Sequence, residues 1–286
     1  MTPFWGLVGH PLGHSMSPYI HRRLFALQGR QEDYALWDIP PQSLPGEFPL
    51  LLKRTGGLNV TIPYKQAVIP FLNRLEGRAA LYQSVNTVAV EEEAGAAVYI
   101  GHNTDAAGFR RSLETAGIPL AGRVLLLGCG GVGRTFACEA ALSRCTVVNA
   151  VRPSSRQKAE ALRRDVLKLA PDTAYDIVDI GDIPGEYDLL INGTPVGMTP
   201  HREECPVPPA VLGRTAAVFD AIYNPGRTRL LREAEAAGAR VLGGMPMLVW
   251  QAAEAQRIWY GASFSPDDID ALCTGAGEEM QRLFPA

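Results

Sequence analysis

Several sequence features that define protein classes are missing here, and paired cysteine is the first. The five cysteines are odd in number, and none stands in a Cys-x-x-Cys pair. This pattern argues against a disulfide framework and against a zinc site. We therefore expect buried, reduced thiols at Cys129, Cys138, Cys145, Cys205 and Cys273.

Long apolar runs and a leader segment are missing too. No stretch reaches about 18 consecutive apolar residues, the minimum for a membrane helix. The N-terminus has no basic region followed by an apolar stretch and a small-residue cleavage site. We therefore expect no membrane span, no signal peptide and a cytoplasmic location.

Charge of one sign is not concentrated anywhere along the chain. The net charge is −3, and acidic and basic residues are interspersed without a basic run. Nucleic acid and anionic membrane surfaces are therefore not expected partners. The five histidines, among them His10 and His14, lack the spacing of a zinc site, so we expect no metal. A small molecule is the expected partner.

The residues that are present favour an α/β protein with two domains. A length of 286 residues and a hydrophobic content of 47% suffice for two cores. Early in the chain, apolar runs predict strands at 4–8, 34–37 and 57–60, helices at 18–27 and 65–72, and a hairpin of 85–90 with 97–100. Thr104 is predicted to cap the next helix.

A second series of strands begins after Gly122. Apolar runs predict strands at 124–127, 146–151, 188–191, 217–219 and 240–242, with crossover helices at 159–169 and 230–237. This half is therefore predicted to be a doubly wound parallel sheet. Two final helices, at 246–260 and 266–283, bring no further strand, so they either close the second domain or return to the first.

The strand at 124–127 leads into a glycine-rich turn. Residues 128–133 read Gly-Cys-Gly-Gly-Val-Gly, a complete G-x-G-x-x-G at the start of a helix. Such glycines let the backbone approach a pyrophosphate, which the helix N-terminus attracts. Dinucleotide binding is the prediction, and a flexible loop is the alternative.

The residues after the next strand indicate which dinucleotide. NAD sites carry an acidic residue there for the ribose 2′-hydroxyl, but no Asp or Glu lies between Ala140 and Lys158. Instead, Arg152, Ser154 and Arg156 offer two guanidinium groups and a hydroxyl for a phosphate dianion. NADP is therefore favoured, the alternative being that both arginines are merely solvated. The loop at 192–198 follows a predicted strand and is expected on the cofactor side.

One amine and one carboxylate supply candidate proton-transfer chemistry. Lys65 closes the segment Asn-Val-Thr-Ile-Pro-Tyr-Lys, and Asp105 closes Asn-Thr-Asp. Oxidation of an alcohol by a nicotinamide needs a group that takes the hydroxyl proton, and either side chain can do so. Ser15 and Ser17 add hydroxyls before a helix, although helix capping alone explains either one.

Together with Ser84-Val85-Asn86-Thr87 and Tyr223-Asn224-Pro225, these motifs closely resemble the shikimate/quinate dehydrogenase family. The resemblance covers essentially the whole chain. It implies an N-terminal α/β substrate domain, a Rossmann-type doubly wound dinucleotide-binding domain, and C-terminal helices that return to the first domain. The implied boundaries are 1–105 with 246–286 for the substrate domain and 106–245 for the NADP domain.

The resemblance also implies roles for individual residues. Lys65 and Asp105 correspond to the catalytic pair, and Ser15 and Ser17 to the residues that bind the substrate carboxylate. Further substrate-binding positions are Asn59, Thr61, Asn86, Tyr223 and Gln251. The phosphate turn corresponds to Gly128, Cys129, Gly130, Gly131 and Val132, and the adenosine phosphate clamp to Arg152, Ser154 and Arg156. Positions near the ribose and nicotinamide are Thr194, Ala221 and Gly244.

The implied activity is reversible NADP-dependent interconversion of shikimate and 3-dehydroshikimate in aromatic amino-acid biosynthesis, by a monomer or homodimer. Alternatives are the same chemistry on quinate with NAD, a paralogue acting on another cyclic hydroxy acid, and a non-catalytic dinucleotide sensor. The sensor keeps the fold, but retention of Lys65 and Asp105 speaks against it.

Three departures from the family pattern stand out. His10 replaces a usual Asn, and we expect this change to be neutral. Val151 and Pro153 replace polar residues of the clamp, which weakens the expected preference for NADP over NAD. Gln83-Ser84 replace Gly-Ala, and we expect them to place a larger polar group beside Asn86.

Overall fold

The computed structural model describes residues 4–13 and 15–284, so His14 lies outside the described residues. The chain divides into two compact units. The first takes the described residues up to Gly108 and from Val249 onward, and the second is Phe109–Leu248. Because residues from Val249 join the first unit, the prediction that the C-terminal helices return to the first domain is confirmed.

Among the residues that the structure describes, the first unit contains a six-stranded mixed sheet. Its strands are β1 (Phe4–Gly9), β2 (Tyr34–Asp38), β3 (Thr55–Val60), β4 (Arg74–Leu75), β5 (Thr87–Glu93) and β6 (Ala96–His102). Their order is β2-β1-β3-β5-β6-β4. β1 runs parallel to β2 and β3, and β4 runs parallel to β6, whereas β5 is antiparallel to both β3 and β6.

The helices that begin in the first unit are α1 (Ser17–Leu27), α2 (Leu44–Leu52), α3 (Arg78–Tyr82) and α4 (Asp105–Thr115), and α10 (Pro266–Leu283) lies wholly within it. β1 is buried almost continuously because it has a strand on each side. In β2, at the sheet edge, only Tyr34 is buried, and half-buried residues alternate with exposed ones after it. One core cluster packs Phe48 of α2 against Val8, Leu58 and Val60.

Two local predictions in this unit were wrong. The segment 65–72 is not a helix but a series of turns that ends in a short 3₁₀ helix at Ile69–Phe71. Pro70 has no backbone N–H to donate, and it disfavours the helical conformation of the residue before it. Thr104 does not cap α4 through its hydroxyl; the side chain of Asn103 accepts from the amide of Ala106 instead (3.3 Å).

The predicted hairpin is confirmed. β5 and β6 pair antiparallel from Thr87 opposite His102 to Glu93 opposite Ala96. Ala94 and Gly95 form the two-residue turn, with φ values of 50° and 81°. Positive φ at both central residues matches the twist of the flanking strands.

Residues 109–248, all of them described, form a six-stranded parallel sheet with the order β12-β11-β10-β7-β8-β9. Its strands are β7 (Arg123–Leu127), β8 (Thr146–Val151), β9 (Tyr175–Asp179), β10 (Leu189–Asn192), β11 (Ala217–Asp220) and β12 (Arg240–Leu242). The helices within this unit are α5 (Gly131–Leu142), α6 (Arg156–Leu169), α7 (Pro209–Leu212) and α8 (Arg229–Ala236). α9 (Met245–Tyr260) begins here and ends in the first unit.

The predicted doubly wound sheet is confirmed, and its strand order reverses between β7 and β10. In such sheets, ligands bind at the carboxyl ends of the strands at this point of reversal. β7 and β10 are apolar and buried because helices cover both faces. On one face, Phe109, Phe136 and Phe219 pack ring against ring, with centroids 4.6 to 5.6 Å apart.

Within residues 4–13 and 15–284, no helix is long and apolar enough to cross a membrane. The same residues include no group of three or more His, Cys, Asp or Glu side chains placed to hold a metal ion.

Candidate active site

Three loops meet at one edge of the first sheet. Lys65 follows β3 and Asp105 follows β6, while Asn86 immediately precedes β5. Because β5 runs antiparallel to both neighbours, the residue before it lies at the same edge as the residues after them. Backbone hydrogen bonds tie the loops together: Val85 N donates to Lys65 O (2.7 Å), and Asn86 N donates to His102 O (3.0 Å).

The predicted catalytic pair is in direct contact. The ammonium of Lys65 donates to Oδ2 of Asp105. The side chains of Lys65 and Asp105 are 15% and 10% exposed, so water screens this ion pair only weakly. Asp105 is the first residue of α4, where the helix dipole favours a negative charge.

Asn86 holds both the carboxylate and the start of α4. Its Nδ2 donates to Asp105 Oδ1 and to Thr104 Oγ1, each at 2.9 Å. Its Oδ1 accepts from the amide of Thr104 at 2.7 Å. Gln251, at the opposite end of the chain in sequence, lies 3.5 Å from Thr104 Oγ1 through its Oε1. The structure therefore brings together four of the predicted residues: Lys65, Asn86, Asp105 and Gln251.

Asn59 lies deeper, on β3, and is buried. Its Nδ2 donates to Thr87 Oγ1 at 3.0 Å and to Asn86 O at 3.2 Å. Its Oδ1 accepts from the hydroxyl of Tyr34 at 2.7 Å. Tyr34 was not predicted from the sequence, because no motif surrounds it. The only available signal was a tyrosine at the start of a strand.

The two predicted serines lie at the start of α1. Ser17 is its first residue, and the Ser17 amide donates to Ser15 Oγ at 3.3 Å. The preceding loop is pinned by Asp38, which contacts His10 Nδ1 at 2.6 Å and accepts from the amide of Leu12 at 3.0 Å. The hydrogen bond from Leu12, and to a smaller extent that with His10, hold the pKa of Asp38 below its usual value.

Thr61, the first residue after β3, is half-buried, and its amide donates to Val8 O at 2.9 Å. Gln83 has a φ of 50° at the end of α3, and its exposed side chain donates to Ala80 O at 2.7 Å. Ser84 is buried, and its carbonyl accepts from Asn103 Nδ2 at 3.0 Å.

The glycine turn of the second unit has the shape that a pyrophosphate requires. Gly128 has a φ of +95°, and a Cβ on Gly133 would lie 3.0 Å from Gly128 O. A side chain at either position would therefore disturb the turn. Asn149 fixes it from behind, because its Nδ2 donates to Leu126 O (3.0 Å) and to Gly128 O (3.1 Å). The turn residues 128–132 lead directly into the N-terminus of α5.

The predicted phosphate clamp lies at the end of β8. Ser154 lies in a short 3₁₀ helix at Pro153–Ser155, with Arg152 before it and Arg156 after it at the start of α6, and all three residues are exposed. Cys129 Sγ lies 3.9 Å from Ser155 O, which links the clamp to the glycine turn. Burial, opposed by nearby Lys158, raises the pKa of the Cys129 thiol. Val151 is buried in the core.

The remaining cofactor positions follow β10, β11 and β12. Thr194 donates to Asn192 Oδ1 through its amide (3.0 Å) and its hydroxyl (2.7 Å). A Cβ on Gly244 would lie 2.2 Å from Ala221 O, so only glycine fits there. Behind them is Asp220, whose pKa is raised by burial and which accepts from Asn192 and Thr228.

Tyr223, predicted to face substrate, belongs to the second unit with the cofactor residues. Burial raises the pKa of its phenol. Its approach to the substrate stays a prediction, as do the individual contacts of the other predicted residues with the two ligands.

Comparison with known proteins identifies the family. The model for the shikimate dehydrogenase substrate binding domain matches residues 7–88. Shikimate dehydrogenase (NADP(+)) of Thermococcus kodakarensis is 40% identical over 281 residues, covering 97% of each chain. The protein of the same name from Methanothermobacter thermautotrophicus is 38% identical over 278 residues, covering 95% of this chain and 96% of that one. The crystal structure of shikimate 5-dehydrogenase from Thermus thermophilus, in complex with NADP(H) and shikimate, superposes with a TM-score of 0.84 at 33% identity, covering 96% of this chain and 100% of that one. The chain therefore belongs to the shikimate dehydrogenase family.

Proposed function

We propose that this protein is an NADP-dependent shikimate dehydrogenase that reversibly reduces 3-dehydroshikimate to shikimate in the shikimate pathway of aromatic amino-acid biosynthesis. The observation that carries the proposal is the Lys65–Asp105 ion pair, fixed by Asn86. It lies in a chain that is 38 to 40% identical to enzymes of that name.

Reduction of the ketone needs a hydride at carbon and a proton at oxygen. NADPH supplies the hydride when bound. Lys65 gives the proton to the carbonyl oxygen and takes it back in the oxidative direction. Its ammonium is held by Asp105, and two further N–H groups are available to point at the substrate oxygen. General acid–base assistance of this kind contributes about 10²- to 10⁴-fold in rate.

Asp105 holds the amine in place and accepts a hydrogen bond from the reacting hydroxyl. Its carboxylate is itself immobilised, since Asn86 donates to one oxygen and Lys65 to the other. Because both groups are already held in place, their reorientation adds little to the free-energy barrier of the reaction.

The substrate's other groups have partners on the same unit. Ser15 and Ser17 bind the carboxylate with their hydroxyls at the N-terminus of α1, where the dipole favours an anion. The ring hydroxyls are bound by the polar side chains around the pair, namely Asn59, Thr61, Asn86 and Gln251. Tyr223 is a further proposed substrate-binding residue.

The second unit binds NADP. Residues Gly128 to Val132 and the amides of α5 receive the pyrophosphate, and Arg152, Ser154 and Arg156 bind the adenosine 2′-phosphate. Thr194, Ala221 and Gly244 lie at the ribose and nicotinamide. We assign the substrate domain to the first unit and the NADP domain to the second. The boundaries implied by the resemblance, 1–105 with 246–286 and 106–245, each lie three residues before the boundaries of these units. We further propose that the enzyme is cytoplasmic and works as a monomer or homodimer.

The test is the initial rate at the nicotinamide absorbance band, with shikimate and quinate each paired with NADP and NAD. The proposal predicts a large preference for shikimate with NADP. Faster turnover of quinate or with NAD would replace it with the quinate dehydrogenase alternative. Inactivity with all four pairs would leave the paralogue or the dinucleotide sensor.

A further inference from the structure

A line of buried hydrogen bonds connects Tyr34 to the proton-transfer pair. Tyr34 is fully buried at the start of β2, and its hydroxyl donates to Asn59 Oδ1 at 2.7 Å. Burial raises the pKa of this phenol well above its usual value, so the hydroxyl keeps its proton and remains a donor.

Asn59 connects Tyr34 to the next residues of the network, and it can do so in only one of the two orientations of its side-chain amide. With Oδ1 toward Tyr34, Nδ2 points the other way and donates to Thr87 Oγ1 and Asn86 O. A rotated amide has almost the same shape but would present an oxygen to these two oxygens. The carbonyl of Asn86 can only accept, so it keeps Nδ2 on its side, and the hydroxyl of Tyr34 donates to Oδ1 and so satisfies the other end of the amide.

Thr87 and Asn86 connect Asn59 to the carboxylate of Asp105. Thr87 Oγ1 donates to Asn86 Oδ1 at 3.1 Å. Asn86 Nδ2 donates to Asp105 Oδ1 at 2.9 Å, and the other oxygen of Asp105 meets Lys65. The side-chain amide nitrogens of Asn59 and Asn86 each donate to two protein atoms, so each amide is held in one orientation.

The ring of Tyr34 is held as firmly as its hydroxyl. The imidazole of His21, on α1, stacks on it with centroids 4.2 Å apart and planes inclined by 5°. Gln256, on α9, fixes His21 by donating from Nε2 to His21 O at 3.1 Å. All of these residues belong to the first unit.

We propose that Tyr34 is a positioning residue for proton transfer: acting through Asn59 and Asn86, its hydroxyl holds the carboxylate of Asp105 in the orientation that binds the Lys65 ammonium. This inference rests on the proposed function. It differs from a purely structural role, in which the buried hydrogen bond would stabilise the fold and leave turnover alone.

The first experiment compares kcat and KM of the wild type and Tyr34→Phe with shikimate and NADP. We expect kcat to fall about 10- to 100-fold, because a small misplacement of reacting groups has effects of this size. The KM for NADP should stay within about twofold, since none of these residues is a proposed cofactor contact. The KM for shikimate should rise less than kcat falls, although Asn59 and Asn86 are themselves proposed to bind its ring hydroxyls. A kcat within about twofold of wild type would overturn the inference while leaving the proposed function intact. A wild type that is inactive on shikimate would instead overturn the proposed function.

Tyr187→Phe is the matched control. Tyr187 is 3% exposed, belongs to the second unit, and donates to Pro184 O at 2.6 Å. Tyr187→Phe removes the hydroxyl hydrogen bond of another buried tyrosine, in this case to a backbone carbonyl, and should lower thermal stability similarly. Its kinetic constants should remain those of the wild type.

The second experiment repeats Tyr34→Phe in an Asp105→Asn background. If Tyr34 acts through Asp105, the second substitution should lower kcat by no more than about twofold, because residues that act as a unit are not additive. An equal loss in both backgrounds would overturn the inference. If circular dichroism shows that Tyr34→Phe is unfolded, Thr87→Val replaces it. This isosteric substitution removes the hydroxyl that links Asn59 to Asn86, and it should lower kcat in the same way.

Discussion

Asn86 Nδ2 donates to Oδ1 of Asp105 at 2.9 Å and leaves Oδ2 of that carboxylate to the Lys65 ammonium. This division of the two oxygens distinguishes the pair from a surface salt bridge, which would contribute only about 0 to 1 kcal/mol. It fixes the carboxylate plane and holds the amine that we propose protonates the substrate oxygen. The groups proposed for proton transfer therefore lie on the loops around β3, β5 and β6.

Removing the charge of Asp105 should impair catalysis more than binding. Asp105→Asn keeps the shape of the side chain but loses the anion that holds the ammonium. We expect kcat with shikimate and NADP to fall by about 10²-fold or more, with KM changed much less. Steady-state kinetics of the purified variant measures both.

The matched control for this variant is Glu279→Gln, which breaks an exposed ion pair with Arg282 on α10. Its kinetic constants should equal those of the wild type. If Asp105→Asn behaved like this control, Asp105 would have no part in the reaction.

Arg152 should determine the preference for NADP. An Arg–phosphate contact contributes about 1.5 to 3 kcal/mol, so Arg152→Ala should raise the KM for NADP about 10- to 100-fold. The KM for NAD, which lacks the 2′-phosphate, should stay nearly constant. Lys168→Ala removes a positive charge from the opposite end of α6 and should leave both values unchanged. An equal rise in the KM values for NADP and NAD would show that Arg152 does not bind the 2′-phosphate.

Stability should decrease in acid because of His21. Burial lowers the pKa of His21 from 6.5 to about 3. Between these two pH values, the unfolded chain therefore binds a proton at His21 and the folded chain does not. The stabilisation is complete above a pH of about 6.5 and is lost progressively as the pH falls toward about 3. Between about pH 7 and pH 5 the loss amounts to about 2 kcal/mol in the free energy of unfolding.

Urea unfolding of the wild type and His21→Phe at these two pH values isolates this contribution. The variant keeps an aromatic ring on Tyr34 but has no titrating group. Its stability should depend less on pH by about the same 2 kcal/mol. Identical pH dependence in both proteins would mean that His21 binds its proton equally well in the folded and the unfolded chain.

Gln83 should be a site of backbone strain. Its φ of 50° lies in the left-handed region, and its side-chain bond to Ala80 O is exposed. Gln83→Gly should therefore raise the free energy of unfolding by about 1 kcal/mol, whereas Gln83→Ala keeps the strain and should not. Thermal unfolding of the two variants compares them directly, and a glycine variant no more stable than the alanine one would refute the strain.

The sequence predicted the elements whose signal is local. The glycine turn, the buried strands β7, β8 and β10, and the two final helices all have a continuous local pattern. β9 was missed because it reads Tyr-Asp-Ile-Val-Asp at a half-exposed sheet edge. The false helix at 65–72 shows the converse, since a single proline outweighed an otherwise suitable pattern.

The site residues divide in the same way. Lys65, Asn86 and Asp105 were found because they lie in motifs that resemble a known family. Tyr34 and Asn149 were not found, because each acts on partners more than 20 residues away along the chain, through bonds that exist only once the strands have paired. Such long-range contacts produce no periodicity or residue spacing in the sequence from which they could be predicted.

The central claim is tested most directly by the kcat and KM of Lys65→Ala with shikimate and NADP, measured beside Lys53→Ala, which removes an exposed lysine at the end of α2. We expect Lys65→Ala to lose about 10²- to 10⁴-fold in kcat while its KM for shikimate changes far less. Lys53→Ala should match the wild type. A Lys65→Ala enzyme with near-normal kcat would contradict the assignment of Lys65 as the proton-transfer group.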